Sequence, residues 1–357
     1  MKSQAPQTFW QGLKSKPFFI KLLNWEYWPI QVIYIPVVFY FVFLAAKARS
    51  IFFFANANPN IMMGGLFSDS KNEIYQQLPQ KLIPKTFMQQ PTDNLQPIFD
   101  FMQQNNFDFP VIAKPDMGER GSLVEKVDSK EELIAYHNKT KVPYLVQEFI
   151  AYSEEVGILY YRLPNQQKGH ITSVTVKEFL SVTGNGHDTI EALMSQSGRA
   201  SLQIERFQNE KPDLLTKVLP KGEKRLLEPI GNHCRGTTFL DGNRFIDEKL
   251  VSVFDEVSHR LNGIYFGRYD IKCESIEALK NNRNWSIIEL NGVKSEPTHI
   301  YQPNASLLEA YKVLFHQWRI IYDISMENKK RGIPFPTFSE GMKEVFAAMR
   351  HNKKKQL

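Results

Sequence analysis

Cysteine is nearly missing from this chain: Cys234 and Cys273 are the only two among 357 residues. They form neither a CxxC pair nor a disulfide framework. That excludes a stapled secreted scaffold and a thiolate metal site, and makes a reducing compartment the default. No Ser/His or Cys/His arrangement offers an activated nucleophile; His233 reads as a bystander rather than a base, and His187 and His299 have no partner at metal-ligand spacing. Basic residues gather in the tails without interleaved aromatic platforms, which argues against nucleic acid as a partner. No internal repeat is present, and no small-residue cleavage site follows the early hydrophobic stretch.

What remains is an ordinary folded composition, 42% hydrophobic and 23% charged, enough for one large domain or two to three small ones. The net charge of +6 is uneven. Lys2, Lys14, Lys16 and Lys21 crowd the front, and Lys353-Lys354-Lys355 the end. Such arms are solvated tails in the plain reading and suit anionic lipid headgroups in the functional one.

Residues 27–46, YWPIQVIYIPVVFYFVFLAA, carry no charge. About 20 apolar residues is the length of a bilayer-spanning helix. Pro29 and Pro36 disturb such a helix, and Lys47 and Arg49 follow it, so flanking charge sets no orientation. A segment that dips in and returns, or lies flat with Trp10, Trp25, Tyr27 and Trp28 at the interface, reconciles these facts. The expectation is a membrane surface, on its cytoplasmic face, or else the cytoplasm. The rival reading packs the segment onto the rest of the chain or a second subunit, and a homodimer is left open.

Beyond residue 50, Ile51-Phe52-Phe53-Phe54 reads as a short buried strand, and the Asn58-Pro59 and Gly64-Gly65 pairs as a shaped loop. Apolar spacing predicts helices over 93–104, 247–262 and 305–323, with Gly263 as a stop signal. Strands are predicted at 109–115, 143–150, in EEVGILYYRL, in ITSVTVKEFL, and in two short segments near 268 and 289. The expected class is α+β. The divisions are a basic arm with the hydrophobic segment (1–50), a short lobe or linker (51–92), a catalytic domain (93–325) and a basic tail (326–357).

The two short strands carry the strongest chemical signal. In a strand, residues two apart share a face, so Arg268 and Asp270 project together, as do Glu289 and Asn291. If these strands pair, three oxygen-bearing side chains and a guanidinium converge. Such a set suits Mg²⁺ held against phosphates. Lys114 ends an apolar strand just before the glycine turn GERGS, whose backbone N–H groups can cradle phosphate. Alone, a strand-end lysine is more often simply solvated. Gln147-Glu148-Phe149-Ile150 can read an adenine edge, with Glu155 nearby for ribose, although an edge-strand rim looks the same. The turn GNHCRG (231–236) carries a cation and an amide, and an ordinary loop is its plain reading.

In this order and spacing the segments resemble the ATP-grasp superfamily of carboxylate–amine ligases, over roughly 94–325. FPVIAKP looks like its phosphate-lysine strand, GERGS its flexible loop, VQEFI…EE its adenine-and-ribose hinge, and RYD with IELN its metal strands. VTGNGHDTIEALM and GNHCRGTTFLD are similar to stretches of the cyanophycin synthetase and glutathione synthetase-like branch. The front stretch FFFANANPNIMMGGLFSDSK looks like that of a group of ATP-grasp proteins whose substrate has no signature here.

The resemblance implies an ATP-grasp fold of two α/β lobes with ATP between them, after a hydrophobic helical segment. It places Lys114 on the α/β-phosphates, with Gly118, Gly121, Ser122, Gln147, Asn232 and Arg235 also on the nucleotide. Glu148, Phe149 and Ile150 bracket adenine, and Glu155 takes the ribose. Asp270, Glu289 and Asn291 hold Mg²⁺, with Mn²⁺ as an alternative. Arg268 stabilises the phosphoryl group in flight and Lys177 reaches the γ-phosphate. The implied partners are ATP, a carboxylate and an amine, neither identified. Three departures stand out, the first being that the hydrophobic segment and a short strand stand in place of the N-terminal lobe that helps bind substrate. Asn291 is followed by Gly292-Val293-Lys294-Ser295-Glu296-Pro297, where D-alanine–D-alanine ligases carry a small-residue Pro-Gly turn, and the glycine loop holds Glu119 and Arg120. A non-catalytic ATP-binding module and a phosphotransferase are the rival functions.

Overall fold

A computed structural model describes residues 17–67, 69–118 and 121–355. Its framework is two antiparallel sheets. The first has the order β1-β4-β2-β3, from β1 (Thr86–Gln89), β2 (Val111–Pro115), β3 (Glu125–Val127) and β4 (Tyr144–Glu148). The second has the order β11-β10-β5-β6-β9. Its members are β5 (Glu154–Tyr161), β6 (His170–Glu178), β9 (Thr238–Asp241), β10 (Phe266–Cys273) and β11 (Trp285–Asn291). β7 (Ser181–Thr183) and β8 (Lys224–Leu226) form a separate ladder. Antiparallel sheets with helices packed on them make the class α+β, as the sequence predicts.

Helices start where their caps lie. Ser129 accepts a hydrogen bond from the Glu132 N–H at the front of one helix (Lys130–Lys139), and Asp247 does the same for Leu250 at another (Glu248–Arg260). The first sheet packs its Val111, Ala113 and Tyr144 on Ile98, Met102, Leu133 and Tyr136 of two helices. The second sheet buries Val156, Ile158 and Ile271 against Leu250, Phe254 and Val257. Its other face, through Leu159 and Phe266, meets a third core that contains the N-terminal hydrophobic segment.

That segment is not one long helix. A 3-10 turn (Trp25–Tyr27) and a four-residue helix (Ile30–Ile33) precede α1 (Ile35–Ala48). Pro29 caps the short helix and Pro36 sits in the first turn of α1, where a missing N–H costs nothing. The 14 residues of α1 span about 21 Å, short of a hydrocarbon core of about 30 Å. Among the described residues, no helix is long and apolar enough to cross a membrane. Val37 and Leu44 of α1 are buried, and Phe41 packs on Phe53, Phe54 and Trp318. Ile35, Val38, Phe39, Val42 and Phe43 form an exposed stripe.

Two further expectations change. Phe52–Phe54 are buried, but as a turn leading into a 3-10 helix (Phe53–Ala57) rather than a strand, because their rings wedge between α1 and α2 (Leu307–Lys330). The expected tail is helical: α2 runs on to Lys330, and α3 (Phe338–Lys355) follows. The loop 58–66 is bound into the core. The Asn58 side chain donates to the Gly64 and Phe266 carbonyls and accepts from the Tyr265 and Phe266 N–H groups. Val293 and Lys294 in turn donate to the Gly64 and Gly65 carbonyls, which holds the segment after β11 in place. A Cβ at Gly65, whose φ is +81°, would lie 2.8 Å from Gly292 Cα. Only glycine allows this approach.

Candidate active site

Both sheets contribute to one cleft of about 740 Å³. From the first sheet come Lys114 on β2 and Gln147 and Glu148 on β4; from the second come Glu155, Lys177, Arg268, Asp270, Glu289 and Asn291.

β10 and β11 pair antiparallel, with Arg268 opposite Asn291 and Asp270 opposite Glu289. Directly opposed residues point to the same face, so all four project into the cleft. Asp270 is buried and well satisfied. Arg268 donates to both its oxygens, at 3.2 and 3.0 Å, the Lys177 ammonium lies 3.1 Å away, and Asn291 Nδ2 is at 3.4 Å. Burial alone would raise its pKa; Arg268 and then Lys177 reverse that and hold the carboxyl below the usual range. Lys177 also lies 2.7 Å from Glu155, its cross-strand neighbour. Lys272 adds a second, longer contact to Glu155 at 3.6 Å.

Lys114 is placed differently. Its ammonium donates to Tyr75 Oη (2.8 Å), Gln147 Oε1 (2.9 Å) and the Ile288 carbonyl (3.1 Å), all neutral acceptors. Burial pulls its pKa down to about 8, against the pull of Glu289, Asp270 and Glu155. Among the described residues it has no carboxylate within ion-pair distance. Glu289, half-buried, has one long ion contact, with Lys71 at 3.8 Å, and no described hydrogen bond. A charged lysine without an anion and a carboxylate without a donor therefore share the cleft.

Of the other predicted residues, Gly118, Gly121, Ser122, Phe149, Ile150 and Asn232 line the cleft. Glu119 and Arg120 lie outside the described residues. Glu148 also lines it, while its backbone N–H and its carboxylate meet the backbone of Lys85. Arg235 is engaged elsewhere, by Glu228 at 3.3 Å and the Val124 carbonyl.

The structure adds residues that pattern reading missed. Lys71 donates to the carbonyls of Asp116 and Gly118, which ties it to the glycine turn. Its one signal is the capping pattern Ser70…Glu73 just around it. Glu26 binds Arg199 and lies 3.0 Å from His233 Nε2. It is the single charged residue between Lys21 and Lys47, a trace that could have flagged it. Tyr34, Lys294 and Glu296 complete the set.

Asp270, Glu289 and the Asn291 amide form an all-oxygen set on one face, which fits a hard divalent cation that keeps waters and phosphate oxygens as its remaining ligands. The undonated Glu289 carboxylate supports the fit. Any cation there shares Asp270 with Arg268 and Lys177. Among the described residues no cluster of three His, Cys, Asp or Glu side chains forms a site of its own.

No protein-family model matches the chain, and neither does any curated protein. Several solved structures are similar in the path of the chain. One is a bifunctional glutathione synthetase from Pasteurella multocida: 16% identity over 69% of this chain and 36% of that one, TM-score 0.37. Another is the VanG D-Ala:D-Ser ligase from Enterococcus faecalis, at 12% identity over 72% and 61%, TM-score 0.41. A D-alanine–D-alanine ligase from Bacillus anthracis complexed with ATP gives 12% over 74% and 68%, TM-score 0.43. The chain thus spans about a third of the first and less than two thirds of the second. Values of this size say nothing of what it acts on.

Proposed function

We propose that this chain is an ATP-dependent carboxylate–amine ligase of the ATP-grasp kind. One observation carries the reading: the buried Lys114 ammonium has no anion and the Glu289 carboxylate has no hydrogen-bond donor, across a single cleft. A nucleotide phosphate with its divalent cation would satisfy both. A buried ammonium held only by neutral acceptors is costly unless a ligand brings it an anion.

In this reading Lys114 and the glycine turn hold the phosphates, Phe149 and Ile150 flank the base, and Glu155 accepts from the ribose. Glu155 keeps Lys177 and Lys272, since a carboxylate has about four acceptor positions. Mg²⁺, when bound, neutralises charge on the phosphate oxygens. A substrate carboxylate oxygen attacks the γ-phosphorus and the bond to the bridging oxygen breaks, which yields an acyl phosphate and ADP. Arg268 and Lys177 stand where they can stabilise the charge of that transfer. An amine then attacks the acyl carbon; a C–N bond forms, the C–O bond to phosphate breaks, and the amine loses a proton. The exposed α1 stripe and the lysine-rich front support work at a membrane surface on the cytoplasmic side.

The test is Mg²⁺-dependent ADP release across carboxylate and amine panels, with Asp270→Asn and Glu289→Gln compared with the parent chain. Each is expected to cut turnover by at least about 100-fold; the thermal melt should stay in place in Glu289→Gln and fall in Asp270→Asn, which deprives Arg268 and Lys177 of their partner. Undiminished turnover in both would overturn the assignment. An amide product, rather than a stable phosphate ester, separates the ligase from a phosphotransferase.

A further inference from the structure

We infer that the acceptor is an amphiphilic primary amine, its ammonium held by Glu296 and its apolar chain lying along Trp28, Ile30 and Ile33. The inference builds on the ligase reading, but the binding it describes requires no turnover.

A chain of contacts leads from the phosphate end of the cleft to this place. Arg268 donates to Asp270 on one side and, at 3.4 Å, to the Glu296 backbone carbonyl on the other. The Glu296 carboxylate is then received by two phenols, those of Tyr34 and Tyr301, which both donate to Oε1. Oε2 has no hydrogen-bonding partner among the described residues. None of the described lysines or arginines forms an ion pair with this carboxylate. Glu296 thus presents its carboxylate to a cleft whose lining also includes Trp28, Ile30, Ile33 and Tyr34.

The sign of that charge decides which substrate group fits. A carboxylate here would meet a carboxylate, whereas an ammonium meets an anion and aromatic faces, its two favourable environments. The wall decides the rest of the molecule. Ile33 is buried, Ile30 half-buried, and the segment runs directly into the exposed Val32, Ile35, Val38 and Phe39. An amine with only polar substituents would leave this apolar track in water. An alkyl or acyl chain follows it from the α1 stripe into the cleft, and each buried methylene tightens binding by about fourfold. The site also gives a role to Glu296 in the segment after Asn291, where D-alanine–D-alanine ligases carry a small-residue turn instead. Arg268, which donates to both Asp270 and the Glu296 backbone carbonyl, ties this place to the phosphate end of the same cleft.

The experiment is calorimetric titration of the full chain, without nucleotide, with dodecylamine, butylamine and dodecanoate below their micelle-forming concentrations. Dodecylamine is expected to bind at least tenfold more tightly than either of the others. Glu296→Gln should weaken dodecylamine at least tenfold. Ile30→Ser should weaken dodecylamine severalfold and leave butylamine unchanged, which keeps the test open if the glutamate variant fails to fold. Equal affinity for dodecylamine and dodecanoate, or for dodecylamine and butylamine, would overturn the proposal. So would full affinity in Glu296→Gln. Phosphatidylcholine vesicles doped with the amine distinguish a bilayer source from a dissolved one: the chain sediments with them in proportion to amine content in the first case and stays in the supernatant in the second. A ligase panel without ADP release would refute the reaction and leave this binding result standing; amide formation with short polar amines alone would refute the acceptor class and leave the ligase.

Discussion

Asp270 and Glu289 occupy a directly opposed position of the β10–β11 ladder, yet their environments differ sharply. Asp270 is saturated by Arg268, Lys177 and Asn291, whereas Glu289 has a single long contact with Lys71. Two carboxylates on one face, one hydrogen-bonded to protein cations and one only loosely paired, make an asymmetric site. The first anchors cations of the protein, and the second is open to a cation that arrives with a ligand.

Lys114 sets a pH dependence. Burial brings its free-state pKa down to about 8, and a bound phosphate raises it again. Nucleotide affinity is therefore fully present below that value. It falls as pH rises through 8, by up to about tenfold per unit, until the bound-state pKa is reached. Calorimetry with a non-hydrolysable ATP analogue between pH 7 and 10 checks this, and Lys114→Met should give a weaker and flatter profile.

Glu26 fastens the N-terminal segment to the cleft. Its carboxylate is nearly buried between Arg199 and His233. Burial would raise its pKa, but His233 and Arg199 more than offset that, so it falls below the usual 4.5. A lowered carboxylate pKa means the stabilisation is complete above 4.5 and is lost as pH falls through the folded value. Glu26→Gln is expected to cost about 3 kcal/mol in urea unfolding at pH 7, because it leaves the guanidinium poorly compensated. The gap from the parent should narrow in acid.

Gly65 tests the loop that positions Glu296. Gly65→Ala places a methyl 2.8 Å from Gly292 Cα at a φ of +81°. Gly222 has a similar φ, +85°, with nothing within 4 Å of a new Cβ. Gly222→Ala should cost about 1 kcal/mol from backbone strain alone. Gly65→Ala should cost distinctly more and also reduce turnover, since the Lys294 N–H donates to the Gly65 carbonyl. Equal losses in the two variants would show that the close approach is unimportant.

The α1 stripe tests the membrane reading. Phe39 and Phe43 are 73% and 59% exposed, whereas Phe41 packs on Trp318. Phe39→Ser with Phe43→Ser should leave the melt nearly unchanged and lower partitioning into anionic vesicles at least tenfold, since each phenyl ring contributes about 2 kcal/mol when buried. Phe41→Ser should do the reverse, with lost stability and little direct effect on partitioning.

Local pattern determined a good deal about this protein. Strand alternation placed Arg268 with Asp270 and Glu289 with Asn291, because side-chain direction in a strand follows from neighbours two residues away. Caps and apolar spacing marked the helices, with α2 running past its expected end since nothing near residue 323 stops it. The uncharged stretch 27–46 has the length and composition of a membrane segment, and no count of its residues reveals the packing partners contributed by α2. Its prolines signalled a break, but only the tertiary structure decided that Phe41 turns inward and that Trp28, Ile30, Ile33 and Tyr34 line the cleft. The same holds for Lys71, Glu26 and Glu296. Each has its role through partners far along the chain, such as Gly118, Arg199 and Tyr34. Periodicity is a property of a segment, but a binding site is set by which segments meet.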